Sequence, residues 1–342
     1  MAKTVYLLTG AAGYLGSNIS RQLLEMGKCV RALVLNWDPA INQIPSCTEI
    51  VQGDILDVDS LEEFFSVDEG TEIVVIHCAS IVTLDPYLTP KLHAVNVTGT
   101  SNMIDACINH RAKKLVYISS TGAIPELPHK QMIHEVDNFN PDVIVGGYGK
   151  TKAEATQLVI NAVKEQGLDA SIVYPSGICG PNDYGNGYFT NFIIDSYEGK
   201  MPAGIEGSFN AVDVRDLAAG VIACVEKGRK GEGYIMSNNS VTMRELFHLV
   251  SIYTGAKDID LILPAFVARL LASLSAIGTF FTRKSGLLTQ YAIYNLTRNN
   301  NFSCEKARRE LGFATRSFEE TIRDMALWLN DDGRIGQINI AV

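Results

Sequence analysis

The chain has 342 residues, 46% of them hydrophobic, enough for a substantial core in one large α/β unit or two coupled lobes. A formal net charge of −9 argues against nucleic acid or an anionic membrane as the main partner. Seven scattered cysteines with no Cys-x-x-Cys, and six histidines with no ligand cluster, give no metal site and suit reduced thiols in a cytoplasmic protein. Val5 to Leu8 predict a buried strand, followed by Thr9-Gly-Ala-Ala-Gly-Tyr-Leu-Gly16 and a helix from Tyr14 to Met26 that stops at Gly27. Gly10 suits a tight turn, Gly13 lets backbone amides approach phosphate oxygens, and Gly16 lets helix and strand pack closely. Tyr14 and Leu15 open that helix, whose unpaired amides and positive dipole end attract a pyrophosphate.

The second strand, Val30 to Leu35, ends where an adenosine ribose would lie. Val34-Leu35-Asn36 there offers neither the acidic residue common with NAD nor the Arg common with NADP, and Arg31 is the nearest positive charge. Ile73 to Ile76 read as a strand ending in a packed His77. Leu115 to Ile118 read as another, running into Ser119-Ser120-Thr121. Hydroxyls at the carboxyl end of a parallel strand are placed to meet a ligand. Tyr148 to Gln166 has helical periodicity, so Tyr148 and Lys152 share a face. A lysine ammonium there would lower a phenol pKa from its usual value of about 10 toward that of a general base.

Strands alternate with helices to Tyr174, which predicts a doubly wound parallel sheet. Gly-rich and aromatic loops from Pro175 suit a smaller C-terminal substrate lobe, and Val212 to Val225 returns to the sheet. The expected division is 1–174 and 209–232 for the dinucleotide-binding domain and 175–208 and 233–342 for the lobe. Ile259 to Phe281 is the most apolar segment, interrupted by Asp260, Pro264 and Arg269. It reads as a substrate-lobe helix over the active site, with a peripheral lipid-facing role as the other reading and no integral membrane span. Tyr291 and Tyr294 are further candidates to meet an apolar substrate.

These stretches resemble the extended short-chain dehydrogenase/reductases. Gly53-Asp-Ile55, His77-Cys-Ala-Ser80, Asn96-Val-Thr-Gly-Thr100, Tyr148-x-x-x-Lys152, Pro175-Ser-Gly-Ile-Cys-Gly-Pro181, Val212-Asp-Val-Arg-Asp216 and Phe302 to Phe313 extend the likeness over nearly the whole chain. The stretch from Gly199 to Asp216 is most similar to the dihydroflavonol-reductase-like and 3β-hydroxysteroid-dehydrogenase-like branch. The resemblance implies a Rossmann fold with an NAD(P) cofactor, slightly favouring NADP, although Leu35 replaces an Arg of that branch. It places Asp54 and Ile55 at the adenine, Ala79, Ser80 and Asn96 along the cofactor, and Pro175 and Ile178 at the nicotinamide. It makes Ser120 the catalytic hydroxyl, with Thr121 as substitute, Tyr148 the acid/base and Lys152 its electrostatic partner.

Three functions fit these residues. The first is an oxidoreductase acting on a carbonyl or alcohol of a small apolar molecule. The second is a nucleotide-sugar 4-epimerase. Dehydration is disfavoured because Thr121 and Gly122 stand where a titrating pair would be needed. So is a diphosphate-bearing substrate, because Asn182 follows Gly180-Pro181 where an Arg would pair with it, leaving Arg283, Lys284 and Arg298 as other phosphate readers. The third is a non-catalytic dinucleotide sensor, which would need no Tyr/Lys pair. Apolar residues on several faces of Leu92 to Ile108 and Lys152 to Val163 predict a homodimer.

Overall fold

The computed structural model describes residues 3–282 and 289–336, with the backbone alone for 274–282. Arg283 and Lys284 therefore lie outside the described residues. The first half runs β1 (Thr4–Thr9), α1 (Tyr14–Glu25), β2 (Cys29–Val34), β3 (Glu49–Gln52), α2 (Val58–Phe65), β4 (Glu72–His77), α3 (Pro90–His93), α4 (Gly99–Asn109), β5 (Lys114–Ile118), α5 (Gly147–Gln166) and β6 (Ala170–Pro175). The second runs β7 (Gly177–Cys179), α6 (Tyr188–Tyr197), β8 (Gly204–Ile205), β9 (Ser208–Asp213), α7 (Val214–Lys227), β10 (Gly233–Met236), β11 (Ser240–Thr242), α8 (Met243–Thr254), β12 (Ile262–Leu263), α9 (Ala265–Thr282), α10 (Gln290–Thr297), α11 (Glu305–Leu311) and α12 (Phe318–Asp331).

Seven parallel strands form the central sheet in the order β10-β6-β5-β4-β1-β2-β3. Strands such as Thr4–Thr9 and Ala170–Pro175 are buried almost throughout, as expected where helices cover both faces. Leu7, Val75 and Leu115 pack under α2, α4 and α5 on one face, while Leu8, Ile76 and Val116 pack under α1 and α7 on the other. The order reverses between β1 and β4, and a crevice at such a switch point is where doubly wound sheets bind ligands.

Three features differ from the sequence reading. β10 pairs with β6 inside the central sheet, so the nucleotide half extends to Met236 rather than ending at 232. β9 pairs instead with β7 and β11 in a small separate sheet, although its Val212 still packs into the main core. The chain also returns to that core late, through Phe302, Ala307, Leu311 and Phe313. The pattern of apolar residues gave their burial but not which layer would receive them.

The apolar residues of α4 and α5 are satisfied within the chain. Met103, Ile104 and Cys107 are buried with Ala155, Val159, Ile160 and Ala162 in one cluster. Ile108 of α4 and Leu158 and Val163 of α5 are only partly buried against that cluster. A second cluster, built from Ile193, Leu246, Phe247, Met325 and Leu329, is the core of the C-terminal lobe.

Candidate active site

The glycine loop is fixed by its neighbours. Gly10 has φ +69°, and a Cβ on it would lie 2.8 Å from the Ala79 nitrogen, so the loops after β1 and β4 touch there. A Cβ on Gly16 would lie 2.1 Å from the Gly10 oxygen. A Cβ on Gly13 would meet a single protein atom within 4 Å, the Gly10 oxygen at 3.1 Å. Gly13 caps α1 without a side-chain bond, and the first turn has no acidic residue, so its free amides suit an anion. The buried Thr9 hydroxyl joins the two switch loops, lying 2.7 Å from His77 Nδ1 and accepting from the Ala79 amide at 3.2 Å.

His77 is a packed residue, as its place at the end of an apolar strand predicts. Its second ring nitrogen lies 3.2 Å from Thr100 Oγ1, and its ring stacks on Tyr117. Burial pushes its pKa down to about 3, so it stays neutral.

Asn96 lies in a π-helical stretch, Ala94–Thr98, between α3 and α4. Its carbonyl accepts from the Ile81 amide at 2.8 Å, and its Nδ2 donates to the Ile81 oxygen and to Thr151 Oγ1, both at 3.0 Å. Asn96 thus ties the loop after β4 to the helix that carries Tyr148 and Lys152. That loop is also held by Gly147, whose amide donates to the Pro86 oxygen at 2.9 Å.

Ser120, Tyr148 and Lys152 come together at the carboxyl edge of β5. Ser120 Oγ accepts from the Gly122 amide at 3.0 Å, which orients its proton outward. Its hydroxyl faces the half-buried Tyr148 phenol and favours the phenolate. Thr121 opens the short 3-10 turn behind it and is buried. Lys152 is buried, donates to the Ile118 oxygen at 2.8 Å and holds its ammonium 5.2 Å from the centre of the Tyr117 ring.

The electrostatics depart from the sequence expectation. Burial raises the Tyr148 pKa to about 12, opposed by Ser120 and reinforced by Tyr291. Burial also lowers that of Lys152 to about 8. Spacing put both groups on one face of α5, but it did not show that the ammonium turns to a backbone carbonyl or that desolvation outweighs charge. Cys78 beside Lys152 is held as a thiol, pushed up to about 12 by burial.

Several other predicted site residues can be placed. Tyr14 donates to the Gly180 oxygen at 2.5 Å, joining the glycine-loop helix to the segment after β7, while Leu15 is buried in the core. Asp54 caps its own turn through the Leu56 amide at 2.9 Å, and Ile55 packs where a side chain on Gly99 would lie. Asn36, Gly53, Asp54, Asp57, Asp59 and Glu63 line a polar cavity of about 400 Å³ at the ends of β2 and β3. Arg31 is not brought there. It pairs with Glu49 at 2.8 Å and donates to the Ser66 oxygen at 2.5 Å and the Phe64 oxygen at 3.3 Å. Pro175 ends β6 and Ile178 lies in β7, Ala79 and Ser80 follow β4, and the buried Ser176 hydroxyl between β6 and β7 has no partner among the described residues.

A family model for the NAD dependent epimerase/dehydratase family matches residues 6–238. The chain belongs to this family. It is 28% identical over 96% of its length to sterol demethylase protein B of Methylococcus capsulatus, covering 99% of that protein. It is 27% identical to 3 beta-hydroxysteroid dehydrogenase type 7 of Mus musculus, over 95% of each chain. The crystal structure of gox2253 superimposes with a TM-score of 0.83 at 28% identity, covering 97% of this chain and 99% of the other. Its relatives are reductases of the dihydroflavonol-reductase-like and 3β-hydroxysteroid-dehydrogenase-like branch.

Against this family frame, two features of the site go beyond the sequence reading. Tyr291 of α10 reaches α5, where its ring occupies the space a side chain on Gly146 would need. The Gly146-Gly147 pair signals a close approach before Tyr148, but not by which residue. The Val212 to Asp216 stretch is a charged clamp. Arg215 joins buried Asp213 at 2.7 Å to Asp324 of α12 at 2.8 Å, and Arg316 joins Asp216 at 2.7 Å. It fixes the C-terminal lobe to the nucleotide half.

Proposed function

We propose that this protein is a nicotinamide-dependent oxidoreductase that moves hydride between its cofactor and the carbonyl or alcohol carbon of a small apolar substrate. The observation that carries this reading is the meeting of Ser120 and Tyr148 at the sheet edge, with the Lys152 ammonium buried behind them. The residues fit a dinucleotide. Amides at the start of α1 and the open side of Gly13 suit the pyrophosphate, and the partnerless Ser176 hydroxyl lies in the stretch facing the nicotinamide end. Bound there, the nicotinamide supplies or accepts the hydride.

Tyr148 holds its proton at neutral pH because burial raises its pKa to about 12. The protein alone is therefore set for reduction, with Tyr148 protonating the carbonyl oxygen as hydride arrives. Ser120 donates to the same oxygen as its negative charge grows. Lys152 supplies the nearby positive charge that makes giving up the phenol proton less costly. Asn96 and the Ile118 carbonyl keep α5 and Lys152 in register.

An apolar substrate is supported by what surrounds Tyr148. Val82, Tyr87 and Leu88 on the loop after β4, Val145 before α5 and Tyr188 at the start of α6 are all exposed. Tyr188 is drawn to the loop by the Leu84 amide, which donates to its hydroxyl at 3.3 Å. Two relatives are named for sterol or steroid chemistry. NAD(H) is preferred over NADP(H) in this reading. Arg31 is engaged elsewhere, and a 2′-phosphate at the end of β2 would face the carboxylates around the cavity there.

One observation favours the 4-epimerase reading. Arg298 makes no ion pair among the described residues, its buried Nε has no partner, and it stacks over Tyr294. Such a cation suits an anionic group of a substrate. Incubation with reduced and oxidised cofactors, apolar ketones and UDP-sugars separates the two. Net consumption of reduced cofactor with a ketone supports the oxidoreductase, whereas sugar conversion without net consumption overturns it.

A further inference from the structure

An ammonium taken out of water ordinarily needs a carboxylate beside it. Lys152 is only 2% exposed, yet among the described residues no carboxylate pairs with it. One N–H goes to the Ile118 carbonyl at 2.8 Å, and the nitrogen lies over the face of the Tyr117 ring, 5.2 Å from its centre. A carboxylate would hold the ammonium but cancel its charge. An aromatic face attracts a cation through its quadrupole and leaves the charge in place. A group that acts on the Tyr148 phenol by its charge needs that charge kept.

The ring is itself fixed. Tyr117, fully buried near the end of β5, lies across from His77 of β4, and the two rings stack with centroids 5.8 Å apart. His77 is pinned in turn by the hydroxyls of Thr9 at 2.7 Å and Thr100 at 3.2 Å. Thr9 also accepts from the Ala79 amide, so a column of buried side chains runs from the glycine loop to the ammonium. The titratable groups around that ammonium are uncharged at neutral pH. Burial holds His77 down to about 3, and a charged His77 would repel Lys152. Cys78 stays a thiol, pushed up to about 12 by burial. Burial also keeps the protons on Tyr117 and on Tyr148, one turn before Lys152 on α5.

We propose that Tyr117 is a positioning residue: the face of its ring, with neutral His77 stacked against it, holds the Lys152 ammonium in place and in its charged form behind Tyr148. Tyr117 acts only through Lys152. The service of Lys152 to Tyr148 rests on the oxidoreductase reading, whereas the hold of the ring on the ammonium does not.

The test replaces Tyr117 in the full chain by Phe, then by mono-, di- and trifluorophenylalanine, and separately by Leu. Fluorine draws negative charge from the ring face and leaves the ring's shape nearly unchanged. The titration midpoint of Lys152 is read in cofactor-free protein by NMR of the lysine side-chain carbons, with Lys152→Met to assign the signal. Tyr117→Phe should keep the midpoint of about 8. The fluorinated rings should lower it step by step. Tyr117→Leu should lower it by about 0.5 to 1.5 pH units, because the charged form loses its support. The decline of ketone reduction at high pH should move down with it. A midpoint that ignores fluorine overturns the proposal, and so does a melting temperature that falls in Tyr117→Leu while the midpoint stays. The fluorinated rings decide the matter if Tyr117→Leu does not fold. Ketone reduction that declines near pH 8 in every variant, with a fixed midpoint, sinks the positioning alone. A midpoint that moves while the pH profile of reduction does not supports the positioning and sinks the use of the Lys152 charge in the oxidoreductase reading.

Discussion

The nucleotide half and the C-terminal lobe use different parts of the chain for their work. In the nucleotide half, binding surfaces are backbone amides, absent side chains and hydroxyls, as at Gly10, Gly13, Thr9 and Ser120. In the lobe, the surfaces are apolar side chains, and two helices place them in opposite directions. Helix α8 buries Met243, Leu246, Phe247 and Val250, starts at a Thr242–Glu245 capping box and stops at left-handed Gly255. Helix α9, with a higher apolar content, turns Phe266 and Leu270 outward. Apolar content thus does not distinguish a core helix from one that leaves large apolar side chains exposed, whereas its disposition around the helix does.

The largest expected effect tests α8. Phe247 is buried against Phe192, with ring centroids 5.2 Å apart, and Phe247→Ala should cost about 3–5 kcal/mol in denaturant unfolding. Cofactor affinity, set in the other half, should stay unchanged by calorimetry. Gly13→Val should do the reverse. Its side chain enters the pyrophosphate space, so cofactor affinity should fall about a hundredfold, or 2.7 kcal/mol, with little change in melting temperature. Loss of stability with intact affinity would show that the loop is structural.

A smaller effect is expected from pH. Lys152 titrates at about 8, while Tyr148 keeps its proton up to about 12. Reduction should therefore be level below pH about 8 and decline toward tenfold per pH unit above it, as Lys152 loses its charge. A profile that stays flat to high pH would mean that the Lys152 charge is not used. The smallest effect belongs to α9. Phe266→Ala should change stability by less than about 0.5 kcal/mol, because that ring is already in water. A loss comparable with Phe247→Ala would erase the contrast between the two helices.

Much of the nucleotide half was legible because its signals are local. A strand of continuous apolar residues, three glycines at fixed offsets and a Tyr/Lys pair one turn apart each state their geometry within a few residues. What was not legible depends on distant partners. Arg31 is an ordinary strand cation in the sequence, and only the approach of Glu49 and the Phe64–Ser66 turn removes it from the cofactor edge. The direction of the Tyr148 shift depends on burial, reinforced by Tyr291 of α10 far along the chain. The end of the nucleotide half was misplaced because β10 is four residues long and carries its identity only through pairing with β6.

The central claim is that Tyr148 transfers the proton in a hydride reaction at this site. It is tested most directly by following reduced nicotinamide absorbance with an apolar ketone for wild type and Tyr148→Phe, alongside calorimetric cofactor affinity for both. The account predicts a drop in kcat of about 10²- to 10⁴-fold with affinity held within a few-fold, since the phenyl ring still packs and only the proton is lost. A variant that binds cofactor and keeps near-normal kcat would contradict it.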